Sequence, residues 1–350
     1  MNIIFVILIF GVIIAFHEFG HFLVAKLNHV GVTEFAIGLG PAIFSFTKKE
    51  TKYSIRLIPM GGYCLMVGED EIVDAENSFS NKSVLARMAI VLAGPVFNFI
   101  LAFIFSIVLI HFTGCDPADI QYVAEGSAAE EAGIQEGDKL LRINGSRIFN
   151  YRELLLHMQL EKDGRPVELT FEKPDGERYT VTVTPKLNQK GEYKLGLGGG
   201  YTKSENIGTD IAYAGLELRY WVKATLTSLR MIFQGKVKSK DVMGPVGVGG
   251  VINDMIEEVK DESETKKEAV INVLLNLLNW CVLLSVNLGI MNLLPIPALD
   301  GGRLLFLIIE AIRRKRIPQE KEAIVNLIGF VLVICLMVVV FFNDIRNVFF

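Results

Sequence analysis

A histidine–glutamate pair, followed one helical turn later by a second histidine, lies inside the first apolar segment of the chain. The motif is His17-Glu18-x-x-His21, and apolar residues flank it over 3–16 and 22–27. On a helix the two histidines share a face and can reach one metal ion, while Glu18 can touch a metal-bound water without being a ligand. Ionisable side chains within a membrane span carry a free-energy cost of several kcal/mol and usually have a function. The segment therefore predicts metal-dependent hydrolytic chemistry inside a membrane.

Four segments are long and apolar enough to cross a bilayer, which requires about 20 residues. They cover roughly residues 3–27, 88–112, 268–291 and 322–342. The hydrophobic fraction of 51% and the mean hydropathy of +0.40 exclude an ordinary soluble protein. No basic cluster with interleaved aromatic residues indicates nucleic-acid binding. Since no basic region precedes the first segment and no small-residue cleavage site ends it, we expect a retained membrane helix.

The four cysteines are scattered and form no CxxC pair, so the sequence indicates neither a disulfide framework nor a thiolate zinc site.

Residues 28–87 are too apolar for a solvated linker and too interrupted by Gly and Pro to span a membrane. The stretches 35–41 and 53–63 are rich in β-branched and aromatic residues, with Gly and Pro between them, which predicts short strands and tight turns. We expect a β-hairpin that enters the membrane, where non-helical backbone requires shielding by protein.

A polar block in the middle of the chain predicts an inserted soluble domain over residues 114–203. Its segment 123–145 carries GSAAEEAGI, GD and ING steps in order and resembles a PDZ domain. Later strands are expected at 167–171 and 179–183. Leu195-Gly196-Leu197 lies where the circularly permuted bacterial form would place its carboxylate-binding loop, and these residues are the candidate peptide-binding loop.

The predicted organisation has four parts: a first membrane half over 1–113, the PDZ domain over 114–203, a connector over 204–267 and a second membrane half over 268–350. In the connector, residues 216–233 predict an amphipathic helix at the membrane interface, and Gly244-Pro245-Val246-Gly247 predicts a turn.

Lys and Arg residues concentrate in two connections between spans, 28–87 and 303–321. By the positive-inside rule these connections face the cytoplasm, so that both termini and the PDZ block face outward.

A catalytic zinc site uses three protein ligands and leaves one position open. His17 and His21 supply two, and Asp300, just after the third apolar segment, is the best candidate for the third. The first and third spans run in the same direction, so the span count places Asp300 at the side of the membrane where the histidines lie. The alternative is an aspartate that caps a helix or closes a turn before the two following glycines.

Four features together resemble the site-2 protease family of intramembrane zinc metalloproteases, in its bacterial branch with one PDZ domain. They are HExxH in the first span, the step Gly94-Pro95-x-x-Asn98 in the second, the PDZ domain, and NLLPIPALDGG ending in Asp300 and two glycines. The resemblance covers essentially the whole chain. It implies a polytopic α-helical protein of the bacterial plasma membrane, with four transmembrane helices, a membrane-associated β-hairpin and an inserted α+β PDZ domain.

The resemblance also implies the chemistry and its location. Zn2+ would be bound by His17, His21 and Asp300, and Glu18 would activate the zinc-bound water as catalytic base, toward the cytoplasmic side of the bilayer. The substrates would be single-pass membrane proteins, such as anti-sigma factors or remnant signal peptides, cleaved in regulated intramembrane proteolysis.

Substrate-binding candidates follow from the same resemblance. They are Asn292, Asn98, and an edge strand formed by Tyr53, Ser54, Ile55, Arg56 and Leu57. An edge strand could pair with the unwound substrate backbone. Alternatively, Asn292 satisfies backbone groups opened by Pro295, and Asn98 forms a packing hydrogen bond between helices.

Two other functions fit parts of the pattern. A metal transporter would also place charged residues in its spans, but the sequence shows one such cluster and no inverted repeat. A PDZ scaffold with an inactive centre would predict a broken HExxH or LDG motif, and both are intact. Replacing Glu18 with glutamine separates the three classes, since a protease would keep zinc and lose cleavage, a transporter would change its flux and a scaffold would be unaffected.

Overall fold

The structure is a computed structural model that describes residues 3–69, 73–160, 164–188, 191–237 and 243–349. In chain order its elements are α1 (Ile3–Leu27), β1 (Val32–Lys48), β2 (Thr51–Met66), α2 (Val84–Thr113), β3 (Tyr122–Val123), α3 (Ala128–Glu131), β4 (Lys139–Ile143), β5 (Ser146–Arg147), α4 (Arg152–Leu160), β6 (Val167–Glu172), β7 (Arg178–Val183), β8 (Lys186–Leu187), β9 (Tyr193–Lys194), β10 (Leu197–Gly198), α5 (Ile207–Phe233), α6 (Pro245–Glu262), α7 (Lys266–Leu293), α8 (Asp300–Arg313) and α9 (Gln319–Phe349). They form two compact units, Met1–Phe105 with Trp221–Phe350, and Ser106–Tyr220. The predicted PDZ block lies within the second unit, and the four-part division stays a prediction.

Four helices among the described residues are long and apolar enough to cross a membrane: Phe5–Leu27, Val84–Thr113, Lys266–Leu293 and Glu320–Asp344. They match the four predicted spans. The first two pack closely because small residues face each other. A β carbon added at Gly20 of α1 would lie 2.5 Å from the carbonyl oxygen of Ala93 in α2. Such small-residue contacts let membrane helices approach without a bulky side chain between them.

The predicted turn at residues 244–247 is wrong, because Pro245 begins α6. Proline is well suited to the first turn of a helix, where its missing N–H leaves no hydrogen bond unmade. The free N–H groups of this turn are satisfied by Asp344 of α9, whose carboxylate accepts hydrogen bonds from Gly244, Val246 and Gly247 at 2.8, 3.1 and 2.9 Å. The predicted amphipathic segment is helical within α5, and its placement at the interface stays a prediction.

The β region is longer and more continuous than predicted. Strands β1 and β2 pair antiparallel around a turn at Lys49 and Glu50. Both strands bend near glycines with left-handed backbone, among them Gly38 (φ 90°) and Gly61 (φ 93°). Because of these bends, the two halves of each strand pair with different segments of the other strand.

This pairing corrects the predicted edge strand for Tyr53, Ser54 and Ile55, whereas for Arg56 and Leu57 the edge position stays a prediction. Tyr53 is opposite Phe46 on one side and Phe35 on the other, and Ile55 is likewise opposite both Phe44 and Ile37. An interior position of this kind leaves no row of free backbone groups for a substrate. Within the described residues, the segment 62–66 is partnered by β1 on one side, through pairs such as Ala36 with Tyr63 and Val32 with Met66.

The second unit is an α+β fold around a four-stranded antiparallel sheet in the order β5-β4-β6-β7. The predicted strands at 167–171 and 179–183 are confirmed as β6 and β7. Its core contains Leu140, Leu169 and Phe171, which are almost completely buried. Leu195 belongs to the same core, and β10 pairs with β3. A peptide-binding role for Leu195, Gly196 and Leu197 stays a prediction.

Candidate metal centre and active site

The structure brings His17, His21 and Asp300 together, as the sequence predicts. Asp300 Oδ2 lies 3.2 Å from His17 Nε2 and 3.4 Å from His21 Nε2, and the two Nε2 atoms are 3.2 Å apart. Among the described residues, this is the one group of three His, Cys, Asp or Glu side chains close enough to hold a metal ion. Both histidines are buried, and they lie within the first candidate span.

The far nitrogen of each imidazole has a partner that orients the ring. His21 Nδ1 lies 2.9 Å from the carbonyl oxygen of Ile90 in α2, and this oxygen can only accept, so Nδ1 carries the proton. This leaves Nε2 of His21, which faces Asp300, as the nitrogen available to bind a metal. The side-chain amide of Asn98, also in α2, lies 3.1 Å from His17 Nδ1. Partners of this kind commonly fix the tautomer and orientation of histidines that bind metals.

Gly94 makes room for both imidazoles. A β carbon at this position would overlap His21 Nε2 and would lie 2.7 Å from His17 Cε1. The backbone of α2 therefore passes directly beside the two rings, and any larger residue would push them apart. The sequence identifies Gly94 as part of a motif, but only the helix packing shows why it is glycine.

The carboxylate of Asp300 is positioned by the close packing of the start of α8 against the loop that precedes it, and it does not cap a helix. Asp300 is the first residue of α8, and Leu299 occupies the N-cap position without a side-chain cap. Added β carbons would lie 2.5 Å from the carbonyl oxygen of Leu293 at Gly301 and 2.5 Å from that of Ile296 at Gly302, so both glycines are needed for this approach. The alternative role of Asp300 as a helix cap is therefore not supported.

These three side chains fit a zinc ion. In tetrahedral coordination with bonds of about 2.0–2.1 Å, neighbouring ligand atoms are about 3.3 Å apart, which agrees with the separations of 3.2–3.4 Å found here. Asp300 Oδ2 is buried without a hydrogen-bond partner. A carboxylate oxygen facing two imidazole nitrogens is a set of electron-pair donors, and a bound cation would satisfy all of them.

Glu18 lies beside the free edge of the β region. It is half-buried on α1 between the two histidines. Its Cγ would be 3.2 Å from a β carbon placed on Gly62, the first residue of the one-sided segment 62–66. The proposed base and the one-sided segment are therefore neighbours, and the backbone of Cys64 in this segment hydrogen-bonds Glu18. The sequence does not predict the edge position of this segment, because strand and turn signals do not show which strand lies at the edge of a sheet.

The two predicted asparagines lie at the metal centre. Asn292 Nδ2 is 3.4 Å from His17 Nε2, and its side chain is half-buried. Asn98 is completely buried, and its amide joins α2 to α1 through His17. Its contact is thus the hydrogen bond between helices that was the alternative to substrate binding.

The polar side chains of the predicted substrate strand are engaged within the hairpin. Ser54 Oγ and Arg56 Nη2 both donate to Glu34 Oε1, at 2.7 and 2.8 Å. Burial would raise the pKa of Glu34, but the hydrogen bonds from Ser54, Arg56 and Tyr63 outweigh it and lower this pKa to about 2. Glu34 is therefore ionised at neutral pH and ties neighbouring strand segments together. Ile55 and Leu57 are exposed.

Comparison with known proteins places these features in context. The sequence profile of peptidase family M50 matches residues 5–336. A Clostridium acetobutylicum protein provisionally named a zinc metalloprotease is 36% identical over 345 residues, covering 98% of this chain and 97% of that protein. The regulator of sigma-W protease RasP of Bacillus subtilis is 33% identical over 429 residues, covering 98% of each chain. The zinc metalloprotease RasP of Geobacillus kaustophilus is 31% identical, covering 99% of this chain and 98% of that protein.

Among solved structures, the PDZ domain of the SdrC-like protein of Listeria innocua aligns with 25% of this chain over its full length. The sequence identity is 16% and the TM-score is 0.22.

Proposed function

This chain belongs to peptidase family M50 and is a zinc metalloprotease of the site-2 type, and we propose that it cleaves the transmembrane segments of single-pass membrane proteins in regulated intramembrane proteolysis. The observation that carries the proposal is the convergence of His17, His21 and Asp300 on one point, with both histidines inside a candidate span. A centre at that depth is suited to peptide bonds that lie within the bilayer.

The three converging side chains are the proposed zinc ligands, and Glu18 is the proposed catalytic base. When bound, zinc supplies Lewis-acid polarisation of the scissile carbonyl and of the attacking water. Glu18 follows the first histidine directly, takes a proton from the attacking water and returns it to the leaving amine. Asn98 and the carbonyl of Ile90 hold the two imidazoles in orientation from α2.

A substrate helix must unwind before its backbone reaches the centre, since its carbonyls are hydrogen-bonded within the helix. We expect the segment 62–66 to receive the unwound strand, because it is next to Glu18 and is partnered on one side. Pairing with this edge replaces the hydrogen bonds that the substrate loses. Asn292, half-buried beside His17, is positioned to hold a substrate backbone group at the same place.

For the orientation, we propose that the active site faces the cytoplasmic side, with the termini and the predicted PDZ block outside. One contact supports the pairing of the two basic connections. Arg87 at the start of α2 and Glu310 near the end of α8 form an ion pair of 2.6 Å, so the connections that precede and follow these helices lie on the same side. The positive-inside rule assigns that side to the cytoplasm.

Comparative membrane proteomics of cells that carry the wild type or Glu18→Gln tests the function. Substrates of the wild type should accumulate as single-span fragments in the variant, because the variant retains the proposed zinc ligands and lacks the base. An unchanged fragment population, with both proteins present at equal levels, would contradict the proposed protease activity on such substrates.

A further inference from the structure

A basic cavity lies at the opposite end of α8 from Asp300, where α8 ends and α2 begins. Its volume is about 590 Å³, and its lining includes five basic side chains and one acidic side chain. The basic residues are Lys82, Arg87, Arg314, Lys315 and Arg316, and the acidic residue is Glu310. They come from two connections that are far apart in the sequence.

The cations in this cavity outnumber the anions available to them. Glu310 pairs with Arg87 at 2.6 Å and lies 3.8 Å from Arg316. Within the described part of the chain, Lys82, Arg314 and Lys315 have no ion-pair partner, and Lys82 is half-buried. A concentration of like charge around one cavity is unfavourable unless an anion binds there.

One buried donor also lacks a partner. Arg87 is 8% exposed, and its Nε–H has no hydrogen-bond acceptor although the same guanidinium pairs with Glu310. A buried donor without an acceptor is rare in folded proteins and commonly indicates a missing ligand or water.

The cavity also lies at the boundary of the apolar spans. Val84, which lines it, is the first residue of the candidate span Val84–Thr113, and Lys315 and Arg316 precede the candidate span Glu320–Asp344 by a few residues. This is the depth at which lipid phosphates are found. Basic residues placed only to set topology would not need to converge from two connections on one cavity.

We propose that this cavity binds a phosphate-bearing anionic group, and that its source is the headgroup of an anionic phospholipid. The guanidinium groups of Arg314 and Arg316 offer forked donors that match phosphate oxygens, and the ammonium groups of Lys82 and Lys315 add charge. The lipid source follows from the position beside the ends of two spans, where the acyl chains continue into the bilayer.

Lipid titration of the full-length protein tests the proposal. The protein is purified in an uncharged detergent, and binding of phosphatidylglycerol and of phosphatidylcholine is measured by native mass spectrometry in the wild type and two double variants. The cavity variant is Arg314→Gln with Lys315→Gln. The control variant is Arg313→Gln with Lys321→Gln, which removes the same charge from exposed residues of the same connection outside the cavity lining.

The wild type should prefer phosphatidylglycerol over phosphatidylcholine. Each removed cavity cation should weaken phosphatidylglycerol binding about fivefold, so the cavity variant, which lacks two, should lose roughly 25-fold. The control variant should lose less than about threefold, because Arg313 and Lys321 do not line the cavity and act on a bound headgroup only through charge screened by salt. Equal losses in the two variants, or no preference for phosphatidylglycerol in the wild type, would overturn the proposal.

A parallel titration with sn-glycerol 3-phosphate and with inorganic phosphate separates the two sources of the same chemistry. If these soluble compounds displace phosphatidylglycerol from the wild type at equal concentration, the phosphate site stands and the lipid source is wrong. If only the lipid binds, the headgroup assignment is supported. The single variant Lys315→Gln, with circular dichroism of every protein, guards against a loss of binding that arises from misfolding.

Discussion

The backbone of Gly94 lies against the imidazole of His21 so closely that a β carbon on this glycine would overlap Nε2. The same β carbon would approach His17, so one small residue of α2 sets the space in which both proposed zinc ligands meet. The close packing of α2 against α1 at this position therefore also determines whether the two imidazoles can bind one metal ion.

Gly94→Ala should strongly weaken zinc binding while leaving the protein in the membrane. The added methyl group forces the imidazoles away from Asp300, and we expect the zinc affinity to fall by about 100-fold or more, at the upper end of what supporting residues contribute. Zinc content after dialysis against a competing chelator measures the effect. Gly250→Ala in α6 is the matched control, since a β carbon there meets nothing within 4 Å and zinc content should not change.

Glu18→Gln should separate metal binding from catalysis. Glutamine preserves the shape of the side chain but cannot accept the proton of the attacking water, so cleavage of a transmembrane substrate in detergent should fall by roughly 10²–10⁴-fold. Zinc content should equal that of the wild type. His17→Ala should lose both zinc and cleavage, and a Glu18→Gln protein with normal cleavage would exclude the proposed base.

Asn98 should affect zinc binding and not substrate affinity. Asn98→Ala removes the partner of His17 Nδ1, and we expect zinc to bind about 10–100-fold more weakly. Asn98→Asp should restore most of this loss, because a carboxylate can accept the proton that His17 carries on Nδ1 when its Nε2 binds zinc. A variant Asn98→Ala with normal zinc affinity but a raised KM would favour instead the substrate role that the sequence suggests.

Cross-linking distinguishes the two outer segments of the β region. With a photo-reactive residue in a Glu18→Gln background, position 65 should capture a transmembrane substrate, because Leu65 lies in the one-sided segment next to Glu18. Position 46 is the control. Phe46 is a comparably exposed apolar residue in the segment 44–48, which pairs with β2 on the side of Tyr53 away from Phe35. Equal capture at both positions would argue for general lipid-side contact and against pairing with a particular edge.

Glu34 should contribute stability that depends on acid pH. Since its pKa is lowered from 4.5 to about 2, its contribution is present above about pH 4.5 and is lost as the pH falls toward 2. Glu34→Gln should therefore lower the free energy of unfolding by about 1–3 kcal/mol at pH 7, and by less at pH 3. Thermal unfolding in detergent at both pH values measures this difference. Glu50→Gln, which breaks an exposed pair with Lys26, should change stability by less than about 1 kcal/mol.

Features of the fold and the site that depend on local sequence patterns can be predicted from the sequence. Helical spacing alone places His17 and His21 on one face, and long apolar runs define the four spans. Span parity, together with the family resemblance, was enough to select Asp300 as the third residue of the cluster. Hydrophobic alternation likewise located β6 and β7 in the second unit.

Features that depend on contacts between distant segments were not accessible. The order of segments in the β region follows from bends at glycines such as Gly38 and Gly61, whose positions mark a turn without fixing the pairing. The sequence around Pro245 predicts a turn because it contains no residue that would cap a helix, and the cap comes from Asp344 of α9. The contact of Asn98 with His17 depends in the same way on how α1 and α2 cross.

Residues of α9 contact the loop that precedes Asp300. Asn326 accepts a hydrogen bond from the backbone of Ala298 at 3.3 Å, and a β carbon at Gly329 would meet the carbonyl of Pro297 at 2.5 Å. In chain order the histidine pair precedes Asp300 and the part of α9 that contacts its loop. During synthesis the three proposed zinc ligands therefore cannot meet before Asp300 is made, and the contacts that support its loop form only after Asn326 and Gly329 follow.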